Sequence, residues 1–125
     1  MTTKTGKYVS GRFYSSVKYK AKKRGIDFAD DLTIGFLDEL LEKQNFKCFY
    51  SGLPIDAKTR GSITASLDRR DSSRGYSRDN ICFSTIPCNM SKWIMSEKDF
   101  MELVKSVYEH SYGKNVFTNE LEKYK

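Results

Sequence analysis

The sequence has no long apolar run, and its 125 residues include only three cysteines, two prolines, one tryptophan and one histidine. Without an apolar run there is no candidate membrane-spanning helix, and the polar, basic stretch 1–10 lacks the apolar centre of a secretory signal. An odd and small number of cysteines argues against a disulfide framework and fits a reducing compartment. We therefore expect a cytoplasmic chain that forms one domain over residues 1–125, because this length supports one modest core.

Acidic residues are missing from the first 24 positions, whereas basic residues are frequent there. Helical spacing of Phe13 and Val17 predicts a helix over 12–24, and the net charge of +6 favours a polyanionic partner. Two interpretations stay open: an element that contacts nucleic-acid phosphates, or a solvated helix with an aromatic docking edge. The first interpretation makes the following residues DNA-binding: Arg12, Lys18, Lys20, Lys22, Lys23 and Arg24.

Periodicity and turn residues predict the elements that follow, which are a helix, two short strands and two further helices. The first helix covers 32–43 and follows a cap at Asp30 or Asp31. The strands cover 64–67 and a return segment that starts at 81, and the last two helices cover 86–95 and 96–110. Their apolar spacing favours a core position for Trp93, and a base-stacking platform stays open as the alternative. Apolar spacing also gives the last helix an inward stripe of Phe100, Leu103, Val104 and Val107.

A carboxylate closes the first strand at Asp68, and an amide follows on the next helix at Asn89. A fold of strand, tight turn, strand and helix brings these two side chains together. Carboxylate and amide oxygens are hard donors, which suit Mg²⁺ or Mn²⁺ better than a soft metal. The sequence therefore predicts a site for one divalent metal ion.

The whole stretch from about 21 to 112 resembles the HNH, or ββα-metal, nuclease superfamily. The features that carry the resemblance are Cys48-Phe49-Tyr50-Ser51-Gly52, Ser66-Leu67-Asp68-Arg69, Gly75-Tyr76, Asn80, Cys88-Asn89 with Lys92, and the helix through Phe100. The resemblance implies an α+β fold whose ββα-metal core, a short hairpin plus a helix, covers 46–95. It implies that a basic N-terminal helix at 1–24 and a C-terminal helix at 96–112 embrace this core, with 113–125 as a tail.

The resemblance also implies a function, which is divalent-metal-dependent hydrolysis of phosphodiester bonds in double-stranded DNA. Asp68 and Asn89 would hold the ion, and Asn80 would tie the hairpin loop together by hydrogen bonds. The cations expected to contact DNA in this part are Arg70, Arg74, Arg78 and Lys92, although an ordinary surface role for Lys92 stays open. The same resemblance is compatible with a homodimer. It also implies a bacterial or phage-infected host cell as the place where the protein acts.

One departure from the family concerns the general base. The histidine that usually follows the aspartate is Arg69 here, and a guanidinium stays protonated. The chain resembles the branch with Asp-Arg in place of Asp-His, which includes the restriction enzyme PacI, and in that branch a tyrosine is thought to act as base. Tyr50 is therefore the candidate base, provided that cations such as Arg69 lower its pKa from about 10. The alternative role for Tyr50 is that of a packed aromatic side chain. Arg69 either binds a phosphate oxygen or pairs with Asp71 or Asp79, and these alternatives stay open.

The missing histidine and an incomplete zinc knuckle leave further alternatives open. Many HNH proteins bind structural zinc with four cysteines. Only two of these four positions hold cysteine here, at Cys48 and Cys88, so structural zinc is not expected. A catalytically silent HNH-like DNA-binding module, and a structure-selective nuclease acting on branched DNA or on RNA, are the alternative functions.

Overall fold

In chain order, two helices are followed by a short antiparallel hairpin and then by two more helices. The structure is a computed structural model, and it describes residues 4–113. The elements are α1 (Gly11–Lys23), α2 (Ile34–Lys43), β1 (Ala65–Arg69), β2 (Ile81–Thr85), α3 (Ile86–Lys92) and α4 (Glu97–Tyr112). The contacts divide the chain into two units, Met1–Ile94 and Met95–Lys125. The α+β prediction is confirmed, whereas the single domain stays a prediction and residues 114–125 of the proposed tail lie outside the described part.

Each of these four helices begins at a hydroxyl side chain, which accepts a hydrogen bond from the backbone N–H three residues later. The capping residues are Ser10, Thr33, Thr85 and Ser96. The expected cap of α2 at Asp30 or Asp31 is therefore wrong, because the chain turns first and the helix starts after Thr33. The predicted end of α3 at residue 95 is also wrong, since Trp93 has a φ of 48° and leaves the helix.

The register of the hairpin determines which side chains share a face. Asp68 pairs with Cys82, and Ser66 pairs with Ser84. Because side chains alternate along a strand, Ser66 and Asp68 point to the same face of the hairpin. The first unit packs around a buried apolar cluster that includes Val9, Leu32, Leu37, Leu41 and Phe83.

Asn80 fixes the loop that joins the two strands. Its Nδ2 donates to the carbonyls of Asp71 and Gly75 at 3.0 and 2.9 Å, and its Oδ1 accepts from the Asp71 N–H at 2.9 Å. Tyr76 then extends the loop onto the segment between α1 and α2, where its N–H donates to the Asp27 carbonyl at 2.8 Å. A Cβ at position 75 would lie 2.7 Å from that carbonyl oxygen, so the approach requires glycine.

The second unit consists, within its described residues, of α4 and the turn that precedes it. Phe100 is buried as expected, whereas Leu103, Val104 and Val107 are exposed, so the expected inward stripe is wrong at these three positions. Helical spacing shows that apolar residues share a face, but it does not show that anything covers this face. Among the described residues, no helix is both long and apolar enough to cross a bilayer.

The carboxylate of Asp38 on α2 fixes the segment that enters α1. It accepts hydrogen bonds from the backbone N–H groups of Lys7, Tyr8 and Val9 at 2.8, 2.8 and 2.9 Å. Because one charged acceptor satisfies three donors, this contact contributes more to stability than an ordinary hydrogen bond does. The position of the basic helix α1 therefore depends on a residue of α2.

We expect Asp38→Ala to lower the free energy of unfolding by about 2 kcal/mol, because it leaves three backbone donors without their acceptor. Glu39→Ala removes the neighbouring exposed carboxylate of α2 and should change stability by less than about 0.5 kcal/mol. Urea unfolding measures both values. Equal effects of the two substitutions would show that the Asp38 contacts do not hold the N-terminal segment in solution.

Candidate active site

A cavity of about 350 Å³ opens beside the hairpin and brings together several of the residues that the sequence singles out. Its lining consists of Arg24, Leu67, Asp68, Arg69, Ser72, Tyr76, Asn89, Met90 and Trp93. The strand β1, the helix α3, the hairpin loop and the C-terminal cap of α1 each contribute to it. The carboxylate and the amide predicted to share a metal ion therefore face one cavity, next to two arginines.

Asp68 is a nearly buried carboxylate, only 4% exposed. Its Oδ2 accepts a hydrogen bond from the Tyr50 hydroxyl at 2.8 Å and lies 3.5 Å from the Lys92 Nζ and 3.8 Å from the Cys82 Sγ. Burial raises the pKa of Asp68 above its usual value, whereas the Tyr50 hydrogen bond and the Lys92 charge act in the opposite direction. The ionised form therefore depends on these neighbours.

Lys92 is the charged partner of Asp68 inside the protein. Its side chain is 0% exposed, and its Nζ donates to the Arg69 carbonyl at 3.0 Å. The expectation that Lys92 contacts DNA is wrong, because a completely buried ammonium presents no surface to a phosphate. Its position one turn after Asn89 places both on one face of α3, but this spacing does not show that the face is covered.

Tyr50 reaches the same carboxylate from the loop before β1. Burial, the adjacent Cys82 and the hydrogen bond to Asp68 all raise the pKa of Tyr50 above that of an ordinary phenol. The expected lowering of its pKa by Arg69 is therefore wrong. In this structure the phenol donates a hydrogen bond to Asp68, and the role of Tyr50 as general base stays a prediction.

Arg69 lines the cavity but directs its guanidinium onto the hairpin loop. Its Nη1 donates to the carbonyls of Ser72 and Arg74 at 2.8 and 2.9 Å, and its Cζ lies 5.5 Å from the centre of the Tyr76 ring. The carboxylates considered as its partners are engaged locally. Asp79 pairs with Arg74 at 2.8 Å, and Asp71 accepts from the N–H and hydroxyl of Ser73, which hold the pKa of Asp71 below its usual range.

Asn89 completes the pair of candidate ligands. Its Nδ2 donates to the Ser66 Oγ at 2.6 Å, which leaves the amide oxygen to accept or to bind a cation. Because Ser66 and Asp68 share a face, the amide lies on the same side of the hairpin as the carboxylate. Among the described residues, no three His, Cys, Asp or Glu side chains come together. One carboxylate and one amide oxygen fit a hydrated Mg²⁺ or Mn²⁺, which keeps several water ligands.

The predicted DNA-contacting cations differ in their availability. Those of α1 and its cap are all exposed, and Arg24 also lines the cavity; the set is Arg12, Lys18, Lys20, Lys22, Lys23 and Arg24. Arg70, Arg74 and Arg78 lie outside the lining of this cavity and contact protein groups. Arg70 stacks 4.9 Å from the Phe49 ring centre, and Arg78 donates to the Asp31 carbonyl at 2.8 Å.

Two residues of the cavity, Met90 and Trp93, were not expected there. The sequence places Trp93 in the core, but its side chain is 73% exposed, and that of Met90 is 74% exposed. With Ile94 they have the i, i+3, i+4 spacing of a buried helical stripe. The sequence gives no signal against that interpretation, because the exposure results from the end of α3 at Lys92.

No family model and no curated protein sequence gives a significant match to this chain. Among solved structures, the chain is similar to the rare-cutting HNH restriction endonuclease PacI, with 22% sequence identity and a TM-score of 0.55. The similarity covers 81% of this chain and 77% of that chain. At this level of identity it shows the fold alone, and it confirms the HNH-like ββα fold. The Asp-Arg branch and the roles of the site residues stay predictions.

Breaking the buried ion pair from either side should be strongly destabilising. We expect Lys92→Met and Asp68→Asn each to lower the free energy of unfolding by about 3 kcal/mol, because each leaves one charge buried alone. The double variant should lose clearly less than the sum of the two, since neither charge remains. Urea unfolding of the four proteins, with the exposed Lys43→Met as control, measures the coupling, and strictly additive losses would contradict it.

The same pair predicts a pH dependence. A carboxyl whose pKa is raised by folding contributes stability below about pH 4, and this contribution is lost as the pH rises through its folded-state pKa. Without Lys92 the charged form of Asp68 loses a stabilising neighbour. Lys92→Met should therefore lose more stability than the wild type between pH 4 and pH 8, and urea midpoints across this range test it. Parallel pH profiles would show that the ammonium does not influence Asp68.

Proposed function

We propose that the protein is a divalent-metal-dependent DNA endonuclease that hydrolyses phosphodiester bonds. The observation that carries the proposal is the convergence of Asp68 and Asn89 on one cavity, with Arg24 of the basic N-terminal region on its lining. The HNH-like fold, which is also that of the restriction endonuclease PacI, supports it. A divalent ion held by Asp68 and Asn89 would stabilise charge on the phosphate and on the leaving oxygen.

The exposed cations of α1 would hold the DNA backbone. Their interaction with phosphates is independent of sequence and neutralises charge along the duplex. Arg24 connects this surface to the cavity, because it caps α1 and lines the cavity with Asp68. DNA bound along α1 would therefore pass the candidate metal ligands, and double-stranded DNA is the proposed substrate.

Tyr50 is the proposed general base, which accepts a proton from the attacking water. The support is geometric, since its hydroxyl lies 2.8 Å from Asp68. To act in this way the phenol must first lose its own proton, and the negative charge of Asp68 opposes that loss. Positive charge bound by the carboxylate offsets this opposition. The competing role for Tyr50 is to orient Asp68 by donating the hydrogen bond seen here.

Cleavage of supercoiled plasmid tests the activity and the two ligands. We expect nicking with Mg²⁺ or Mn²⁺ and none with EDTA. Asp68→Asn and Asn89→Ala should both reduce cleavage to the EDTA level, because the first removes the negative charge that holds the ion and the second removes the amide oxygen. Asp30→Asn, which changes an exposed carboxylate outside the cavity, should cleave at the wild-type rate. Undiminished cleavage by Asp68→Asn would remove this carboxylate from the mechanism.

Tyr50→Phe separates the two roles of the tyrosine. Loss of a general base should reduce the cleavage rate about a hundredfold or more, and it should remove the rise in rate with pH that follows deprotonation of the phenol. The exposed Tyr19→Phe serves as the matched control and should leave the rate unchanged. An unchanged pH profile with a modest loss in rate would instead assign Tyr50 to positioning Asp68.

A second candidate function is a DNA-binding module without catalysis. It is favoured by the buried ammonium of Lys92, which already lies 3.5 Å from Asp68 Oδ2 and partly neutralises the carboxylate that would bind the ion. Titration calorimetry with Mn²⁺ distinguishes the two functions. Binding that is lost in Asp68→Asn favours the nuclease, whereas tight plasmid binding without metal binding or cleavage favours the module.

The basic helix yields a separate prediction about affinity. Replacing Lys18, Lys20 and Lys22 by Gln should weaken binding to any duplex. The slope of log K against log salt should become shallower by about 0.9 for each phosphate that the variant no longer neutralises. Fluorescence anisotropy at several salt concentrations measures both quantities. Arg60→Gln removes an exposed charge outside the α1 surface and the cavity, and an equal effect there would contradict a specific role for α1.

A further inference from the structure

The exposed indole of Trp93 stands at the edge of the candidate active site. With Met90 it forms an apolar surface on the lining that also contains Asp68 and Asn89. Both side chains are about three-quarters exposed, at 73% and 74%. Large apolar side chains exposed next to one another mark a contact surface more often than chance exposure.

The backbone holds Trp93 firmly in this exposed position. On one side Lys92 is buried and its Nζ donates to the Arg69 carbonyl at 3.0 Å. On the other side the Ile94 carbonyl accepts from the Ser72 hydroxyl at 3.3 Å, and the Trp93 N–H itself donates to the Asn89 carbonyl at 3.2 Å. The indole is thus presented outward by a fixed chain reversal, not by a loose end.

The conformation of Trp93 is unfavourable in itself. Its φ of 48° lies in a region that bulky side chains rarely adopt. Such a conformation persists where the surroundings determine it, and these positions cluster at ligand-binding and catalytic sites. Since the indole is mostly exposed, its own packing does little to offset this strain.

The neighbours of the indole define the chemistry of its ligand. Arg24 and Arg69 line the same cavity and favour an anion, whereas the indole and the Met90 thioether offer a flat apolar surface. A nucleotide combines these two properties, with a phosphate for the arginines and a base for the aromatic ring.

We propose that Trp93, together with Met90, stacks on a base that has left the helical stack beside the phosphate to be cleaved. This inference rests on the proposed function and names its substrate more closely. Stacking on an indole is insensitive to base identity, but it requires an exposed base face. A perfect duplex must unstack first, whereas a bulge, a mismatch or a single strand does not. The preferred substrate is therefore DNA with unpaired bases at the site of cleavage.

The chain contains one tryptophan, so its intrinsic fluorescence reports on Trp93 alone. Full-length protein in EDTA is titrated with a perfect duplex, the same duplex with a two-base bulge, and a bulge made of abasic residues. Labelled oligonucleotide anisotropy records binding in parallel. We expect the bulged duplex to quench the emission strongly and to protect the indole from acrylamide. The abasic bulge should bind through charge and leave the emission unchanged.

Substitutions at this position separate stacking from apolar contact in general. Trp93→Phe keeps an aromatic face and should retain most of the preference for bulged over perfect duplex. Trp93→Leu keeps apolar surface without a ring and should weaken binding to the bulged duplex about tenfold. Ile94→Ala is the control, since Ile94 is an exposed apolar neighbour outside the cavity lining, and it should bind like the wild type. Circular dichroism confirms folding of each variant.

The outcomes distinguish this inference from the proposed function, because fluorescence is read without cleavage. Quenching by unpaired bases in a protein that cuts neither plasmid nor bulged duplex with Mg²⁺ or Mn²⁺ would support stacking and overturn the nuclease. Plasmid cleavage together with DNA binding that leaves the emission unchanged would overturn stacking and keep the nuclease. Equal quenching by the intact and abasic bulges would overturn base stacking as well. Binding of no DNA form at all would overturn both.

Discussion

The buried contact between Asp68 and Lys92 is the interaction on which the site depends. A carboxylate that is 4% exposed requires a partner, and Lys92, which is 0% exposed, provides an ammonium 3.5 Å away. Asp68 belongs to β1, Lys92 to α3 and the hydrogen-bonding Tyr50 to the loop before β1. One charge cluster therefore joins three segments, and it locates Asn89, which lies one turn before Lys92 on the same helix.

Polar clamps of the same kind determine the geometry around the site. The Asp38 carboxylate fixes the entry to α1 through three backbone N–H groups, and the Asn80 amide holds the hairpin loop closed. A first unit of this size has a modest apolar core, which gives loops little to pack against. Directed hydrogen bonds to charged or amide groups provide the positional accuracy that a larger core would otherwise supply.

The sequence predicts what depends on local rules and misses what depends on distant chain segments. Strand alternation and the hairpin turn are local, so the convergence of Asp68 and Asn89 could be predicted from the residues alone. The burial of Lys92, the outward turn of Trp93 and the direction of the Arg69 guanidinium each require knowledge of what lies opposite. Thr33 illustrates a local miss, because three possible caps stand within four residues and the preceding turn selects the last of them.

The end of α3 connects stability to function through two adjacent residues. Lys92 enters the interior to neutralise Asp68, and the reversal that follows leaves Trp93 outside, on the lining of the same cavity. The ammonium makes the carboxylate ionisable inside the protein, but it also weakens the field that attracts a divalent ion. A metal ion at Asp68 would therefore be repelled by the Lys92 ammonium. The negative charge of a bound phosphate would offset this repulsion. Metal and DNA would thus each strengthen the binding of the other at the site.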